Sequence, residues 1–318
     1  MRGEGTGTVA ASGGGGTALV VEGGALRGVF STGLLDGFLE EQFNPFDLFV
    51  GVSSGASNLA AFLAGMVGRN RRVYLEYSLR PDFLDFRRFL RGGHLIDLDW
   101  LWAITIREIR LDLATIFARP QPFVVVMTDA LTGAAVYRTT EAGNLEHLLK
   151  ASSAVPLLYR DFPLVDGRPM SDGGVADAIP VGEAIRRGAR RIMVVRSRRF
   201  DYRKKGGLSD ILIRWHMRRY PQLQRAVVRR VQGYNDAVGL IRRPPEGVSI
   251  LEVCPPPEFR VSRLSQDIAI LQEGYAQGRR AAAEAIARWE KCGRAGGEST
   301  APEAGGEALL RGRASTRA

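Results

Sequence analysis

The sequence predicts an α/β fold with a mainly parallel sheet covered by helices on both faces, and two observations carry that prediction. Short runs rich in β-branched residues, at 18–21, 48–50, 122–127, 191–195 and 248–253, alternate with stretches of helical periodicity. Strands buried on both faces read as continuous apolar runs, and strands separated by helices pair in parallel. The chain also opens on two successive units of strand, glycine turn and helix.

Ala18 to Val21 reads as the first buried strand, running into Glu22-Gly23-Gly24, after which Phe30, Leu34, Leu35, Phe38 and Leu39 mark one helical face. The second unit begins with Leu48-Phe49-Val50, turns through Gly51-Val52-Ser53-Ser54-Gly55, and continues with Leu59, Phe62, Leu63 and Met66 at helical spacing. Leu48 to Gly68 is 21 residues without a charge, long enough to suggest a membrane span. Its serines, Asn58 and four glycines would place polar and helix-weakening groups in hydrocarbon, so a buried strand plus a buried helix is the better reading. Residues 70–115 mix seven Tyr, Phe and Trp side chains, from Tyr74 to Trp102, with many arginines; a cap over a site and a peripheral helical pair both fit. Further helices are expected over 144–152, 181–187 and 265–291, the last capped by Ser265 with Ile268, Leu271, Tyr275, Ala282, Ile286 and Trp289 on one side.

The 318 residues are 45% hydrophobic and 25% charged, ordinary for a soluble globular chain. Residues 1–17 are Gly-rich with no apolar core of a signal peptide and are expected to be a flexible leader; 293–318 are expected to be a disordered tail, leaving 18–292 as the folded domain. Two cysteines, Cys254 and Cys292, make neither a disulfide framework nor a zinc site, which fits a reducing, cytoplasmic setting. Formal net charge is +10, and in 186–230 the 16 Lys and Arg face only Asp201 and Asp210. Such a run suits peripheral contact with an anionic membrane surface; a compositional bias without a partner ranks second, and nucleic acid third, since no nucleic-acid motif accompanies it.

Gly51-Val52-Ser53-Ser54-Gly55 between a strand and a helix is the sequence form of a nucleophile elbow, in which glycines allow a sharp turn that lifts the serine Oγ clear of the sheet. A serine nucleophile needs a base and a place for the oxyanion. Gly23-Gly24-Ala25-Leu26-Arg27-Gly28 lies where a strand end meets a helix start, so unsatisfied amides and the helix dipole converge there. A dinucleotide loop is the rival reading, but Ala25 stands at the third position of the motif, where G-x-G-x-x-G requires glycine. For the base, a Ser, Asp, His order leaves only His216, whose cationic surroundings (Arg214 to Arg219) would destabilise the imidazolium it must form. Asp172-Gly173-Gly174 is the stronger candidate, a carboxylate in a glycine-rich turn, with Asp129, Asp166 and Asp177 as competitors.

Together, Glu22 to Gly28, Gly51 to Gly55 and Asp172 to Gly174, in that order, resemble the patatin-like phospholipase family. Ala151-Ser-Ser-Ala-Val-Pro156 and Gly174 to Pro180 are similar to stretches of its bacterial branch. The resemblance implies a three-layer α/β/α fold and a lipid acyl hydrolase working through a Ser–Asp dyad, with no metal or cofactor. Carried over by motif, Ser53 is the nucleophile, Asp172 the base and the Gly23 to Gly28 loop the oxyanion hole, with Arg27 at its basic position. Ala25 departs from the family's third loop glycine; it adds a Cβ and keeps the N–H. Two other readings stand beside this one, a non-catalytic lipid-binding or regulatory protein on the same fold and a Ser–Asp–His216 triad esterase. Acyl lipid or phospholipid is the expected partner.

Overall fold

A computed structural model describes residues 16–207, 217 and 219–295. Among these residues one eight-stranded sheet runs through the molecule, built from β1 (Gly16–Val21), β2 (Leu48–Val52), β3 (Phe123–Asp129), β4 (Ala135–Thr139), β5 (Leu164–Val165), β6 (Arg168–Asp172), β7 (Ala189–Val195) and β8 (Ser249–Val253). The order is β5-β6-β3-β2-β1-β7-β8, with β4 also on β3. Strands β3, β2, β1, β7 and β8 are parallel, while β4 and β6 pair antiparallel with β3 and β5 with β6. The α/β class and the mainly parallel sheet expected from the alternating runs are therefore what the structure has. The antiparallel additions lie in short segments without a strong β pattern, such as Ala135-Val-Tyr-Arg-Thr139, which is at most half-buried at one edge.

Alternate strand residues feed two cores, as the period of two in a strand requires. Leu19, Val21, Phe49, Val125, Met127, Met193 and Val195 face one layer, made by α1 (Val29–Glu40), α2 (Ser54–Leu63), α7 (Leu145–Ser152) and α10 (Ile268–Ala295). Ala18, Val20, Val50, Val52, Val124, Ile192 and Val194 face the other, made by α8 (Val181–Arg186) and α9 (Pro221–Arg242). Each fully buried Val or Leu contributes about 1.5–3 kcal/mol over exposure, which is why these runs carry no polar interruptions. Between α2 and β3 lie four short helices, α3 (Arg69–Leu75), α4 (Phe86–Leu90), α5 (Leu98–Ile109) and α6 (Leu113–Phe117).

The closest helix pair joins the two ends of the chain. A Cβ on Gly33 of α1 would collide with the Tyr275 carbonyl of α10, and one on Gly278 with the Phe30 carbonyl, so bare backbone is what lets these helices touch. The N-terminus of α10 differs from the expected one. Asp267, not Ser265, caps it, accepting from the Ala269 and Ile270 amides, because the Ser265 hydroxyl is taken by the Ser262 amide at 2.7 Å. At the other end of the chain, β1 begins at Gly16, and Thr17 is tied to Asp47 through its amide and hydroxyl. Residues 1–15 of the expected leader, and the expected tail from 296, lie outside the described residues.

Asp36 on α1 is buried against α10, accepting from the Tyr275 hydroxyl at 2.9 Å and the Gly68 amide at 3.1 Å. Burial pushes its pKa up to about 6, against those two hydrogen bonds. Between the ordinary value of 3.8 and about 6 the folded protein keeps a proton that the unfolded chain has released. Stability from this group is therefore lost as pH rises through that window, by ~3 kcal/mol at most. Asp36→Asn should lose this slope. Urea unfolding at pH 4 and at pH 7 should show the variant gaining on the wild type at the higher pH; an equal difference at both would mean the carboxylate is not ionised at a cost.

Candidate active site

Ser53 stands between β2 and α2 with φ 53° and ψ −127°, a backbone conformation that a residue with a side chain adopts only when its surroundings force it. The forcing groups are visible. Its amide donates to the Ser152 hydroxyl at 2.7 Å, and that hydroxyl donates on to the Val126 carbonyl at 2.6 Å. Gly55 lies so near β1 that a Cβ would collide with the Val21 carbonyl oxygen. Strain of about 1–3 kcal/mol is thus held by the sheet, and the Ser53 side chain is set at the start of α2.

The register of the sheet explains how Asp172 reaches it. β2 pairs with Phe123 to Val126 of β3, β6 pairs with Met127 to Asp129, and β4 pairs with Val124 to Thr128. Because β4 shares partners with both, β2 and β6 must lie on the opposite edge of β3 from β4, one beginning where the other stops. Val52 opposite Val126 and Asp172 opposite Met127 place the residue after Val52 next to Asp172. The Asp172 carboxylate, buried at 8% exposure, accepts from the Gly174 amide at 2.8 Å and lies close enough to the Ser53 hydroxyl to feel its dipole. Burial raises its pKa above the carboxylate range; the Ser53 hydroxyl, the Gly174 amide and the charges of Arg263 and Arg230 pull the other way. Gly173 follows beneath Val126, and Gly174 carries the amide that holds the carboxylate.

The loop at 23–28 wraps the same point. Gly23 packs against the elbow, its Cα so close that a Cβ would stand 2.9 Å from the Ser53 Cβ. The amides of this loop are not equivalent. Gly24 donates to the Ser54 hydroxyl at 2.9 Å, Leu26 makes a long bond of 3.4 Å to the Arg263 carbonyl, and Arg27 donates to the Gly24 carbonyl at 3.2 Å. The amides of Gly23 and Ala25 have no acceptor among the described residues, so these two remain for an oxyanion. Ala25 sits at φ 50°, the left-handed region where glycine is at ease and a Cβ is strained. Gly28 lies below, its carbonyl accepting from Asn58 at 2.8 Å.

Two cavities meet at Ser53 and share Ala25, Val155, Leu158 and Arg263 in their walls. The first, of about 130 Å³, is apolar and walled by the 70–115 segment through Phe83, Leu84, Ile96, Leu98, Leu101 and Trp102. Of the two readings of that segment, a cap beside the site is the one its position fits. The second cavity, of about 60 Å³, is polar and includes Asp172 and Arg27.

His216 lies outside the described residues. His94 stacks on Tyr159 and accepts from the Arg160 amide at 3.0 Å, and His147 contacts the Leu164 carbonyl; neither lines either cavity. Of the competing aspartates, Asp129 is engaged by Arg168 at 2.5 Å, Asp166 by Arg138, and Asp177 by the Tyr137 hydroxyl at 2.8 Å. Ser152, Ser197 and Arg263 were not singled out from sequence. Ser152 lies within Ala151 to Pro156, but nothing local marks it as the acceptor for the Ser53 amide. Part of the cationic run at 186–230 is matched by carboxylates. Arg186 and Arg187 pair with Glu183, and Arg196 is fully buried with Glu22 and Glu252. These three carboxylates lie outside 186–230 in the sequence, so the charge of the run alone overstates the charge around Arg186, Arg187 and Arg196.

Comparison with known proteins gives two family matches. Residues 19–185 match the patatin-like phospholipase model, and 220–293 match a family described as a domain of unknown function. A protein of Escherichia coli (strain K12) described as uncharacterized protein YjjU is 37% identical over 266 residues, covering 82% of this chain and 74% of the relative. Among solved structures, VipD from Legionella pneumophila is similar with a TM-score of 0.46 at 12% identity, covering 87% of this chain and 67% of that one.

Proposed function

Because the chain belongs to the patatin-like phospholipase family, we propose that it is a serine acyl hydrolase that cleaves carboxylic ester bonds of lipids through Ser53 and Asp172. The observation that carries this reading is the meeting of the β2 and β6 ends on β3, which sets a strained serine against a buried carboxylate at the mouth of an apolar cavity. We take 18–292 as one catalytic domain, since α1 and α10 pack across both matched ranges.

In the proposed mechanism Asp172 accepts the Ser53 proton as Oγ attacks the ester carbonyl. The developing oxyanion takes the Gly23 and Ala25 amides, with the α2 N-terminus adding its dipole. One such donor is worth about 3 kcal/mol. Asp172 then gives its proton to the leaving alcohol, and later draws one from the water that attacks the acyl-enzyme and returns it to Ser53 Oγ as the acid leaves. A buried carboxylate suits this work better than an exposed one, because a raised pKa moves it toward the working pH. The apolar cavity receives the acyl chain.

Among the described residues no helix is long and apolar enough to cross a membrane. Peripheral contact with an anionic membrane surface, from a cytoplasmic location, is the way we propose the enzyme meets its substrate. Phe86 and Leu90 of α4 are 59% and 84% exposed, beside Arg87 and Arg91, and Phe83 and Leu84 just before them line the apolar cavity. Apolar tips flanked by cations are suited to a headgroup layer.

An alkyl fluorophosphonate, a reagent that phosphonylates activated serines, tests the assignment. It should add one equivalent to the peptide carrying Ser53, label Ser53→Ala not at all, and label His216→Ala at the wild-type rate. Labelling elsewhere, or its loss in His216→Ala, would move the chemistry to another serine or to a triad.

A further inference from the structure

The polar cavity holds more positive charge than the chemistry at Ser53 uses. Its wall contains Arg27, Arg198, Lys204, Arg230 and Arg263 against the two carboxylates Glu22 and Asp172. Glu22 is already committed, accepting the Ser197 amide at 2.8 Å and lying 3.8 Å from Arg196. Arg27 is only 4% exposed, and its Nε has no hydrogen-bond partner. Burial first, and then the neighbouring charges of Arg198 and Arg263, bring its pKa down to about 9 against the opposing charge of Glu22. A guanidinium buried with part of its donor set unused and like charges beside it is a costly arrangement unless an anion joins it. Guanidinium forks match the oxygens of a phosphate in number and direction.

The origin of these side chains in the chain matters. Arg27 belongs to the range that matches the phospholipase family, whereas Arg230, on α9, and Arg263, between β8 and α10, belong to the range matched only to a domain of unknown function. The apolar and polar cavities meet at Ser53, so an ester carbonyl held there has its acyl chain on one side and its alcohol portion on the other. The polar cavity is small, about 60 Å³ against about 130 Å³ for the apolar one, and a quaternary or primary ammonium would have to sit among guanidinium groups. Both facts favour a bare phosphate over a zwitterionic head.

We infer that residues 220–293 complete, with Arg27, a phosphate-binding site beside Ser53, so that the enzyme selects acyl lipids bearing a terminal phosphomonoester over choline or ethanolamine lipids. The inference rests on the acyl hydrolase reading for its use, though the site itself can be measured without turnover.

The test uses the full-length Ser53→Ala protein, which binds without hydrolysis, and titration calorimetry with three probes: inorganic phosphate, lysophosphatidic acid, and lysophosphatidylcholine of the same acyl chain. Lysophosphatidic acid should bind at least tenfold tighter than the choline lipid, and inorganic phosphate weakly. Adding Arg263→Gln or Arg198→Gln should each cut the preference about tenfold, the loss of one charge-assisted contact. Two positions are used so that a folding failure at one leaves the other. Equal affinity for the two lysolipids, or a preference untouched by both substitutions, overturns the inference. Phosphate alone binding as tightly as lysophosphatidic acid would make this a site for free phosphate and overturn its role as a head-group site. Hydrolysis of p-nitrophenyl butyrate by the wild type is measured in parallel. It reports on Ser53 chemistry alone, so failure of the acyl hydrolase reading and failure of the phosphate site are told apart.

Discussion

Ser53→Ala and Asp172→Asn are each expected to lower kcat for a soluble ester by about 10⁴-fold, and the double variant to lose no more than the worse of the two. The reason is that they act as one unit. Without the carboxylate, Ser53 Oγ keeps its proton through the attack; without the hydroxyl, the carboxylate has nothing to activate. What remains in either variant is positioning and the oxyanion amides, which do not depend on the dyad. KM should change little, because the apolar wall from Phe83 to Trp102, proposed to receive the acyl chain, is left intact by both substitutions. The pH profile supplies a second, independent sign. Asp172 must be ionised to act as base, and burial raises its pKa, so the rate should fall as pH drops through a midpoint above the ordinary carboxylate range and stay level above it. Asp172→Asn should retain a residual rate without that acid limb. Additive losses in the double variant, or an acid limb that survives in Asp172→Asn, would place the base elsewhere.

The sequence makes the strands of the sheet centre legible, because β1, β2, β3 and β7 are buried on both faces and so carry uninterrupted runs of Val, Leu, Ile and Met. Ser53 is legible for a related reason. Its turn demands glycines where a Cβ would strike neighbouring backbone, Ala56 of α2 at Gly51 and the Val21 carbonyl of β1 at Gly55, and that demand is written locally. Asp172 is half legible: Asp-Gly-Gly marks a tight turn, but many aspartates precede glycine. What singles it out is the strand register that brings it beside Ser53, and register between residues 52, 126 and 172 leaves no local trace. The same holds for Ser152 and Arg263, which matter only through what lies opposite them. Asp267 rather than Ser265 as the cap of α10 shows the limit at short range, where two good capping residues stand close together and a competing hydrogen bond to Ser262 decides.

Arg196→Met is expected to cost about 3–5 kcal/mol of unfolding free energy, the largest single effect on stability predicted for this fold. Arg196 is fully buried at the end of β7, donating to Glu252 at 2.6 Å and to the Tyr234 hydroxyl at 2.7 Å, with Glu22 at 3.8 Å. The methionine fills much of the volume but leaves two carboxylates in a buried setting. Glu252 retains Arg242 at 3.2 Å, so the greater share of the cost falls on Glu22, left with the Ser197 amide, the Tyr234 hydroxyl and the charge of Arg27. Adding Glu22→Gln should therefore recover part of the loss, since it removes a buried charge that has lost its Arg196 partner. A double variant no more stable than Arg196→Met would mean that the cost is packing rather than charge. The network also reaches the chemistry. Ser197, held by Glu22, donates its hydroxyl to the Gly23 carbonyl at 3.1 Å, and Gly23 presses on Ser53. Under conditions where Arg196→Met is still folded, kcat should fall with KM nearly unchanged, because the displaced group is the amide proposed to meet the oxyanion and Gly23 does not line the apolar cavity. A stability loss without a change in kcat would show that the loop holds its shape without this anchor.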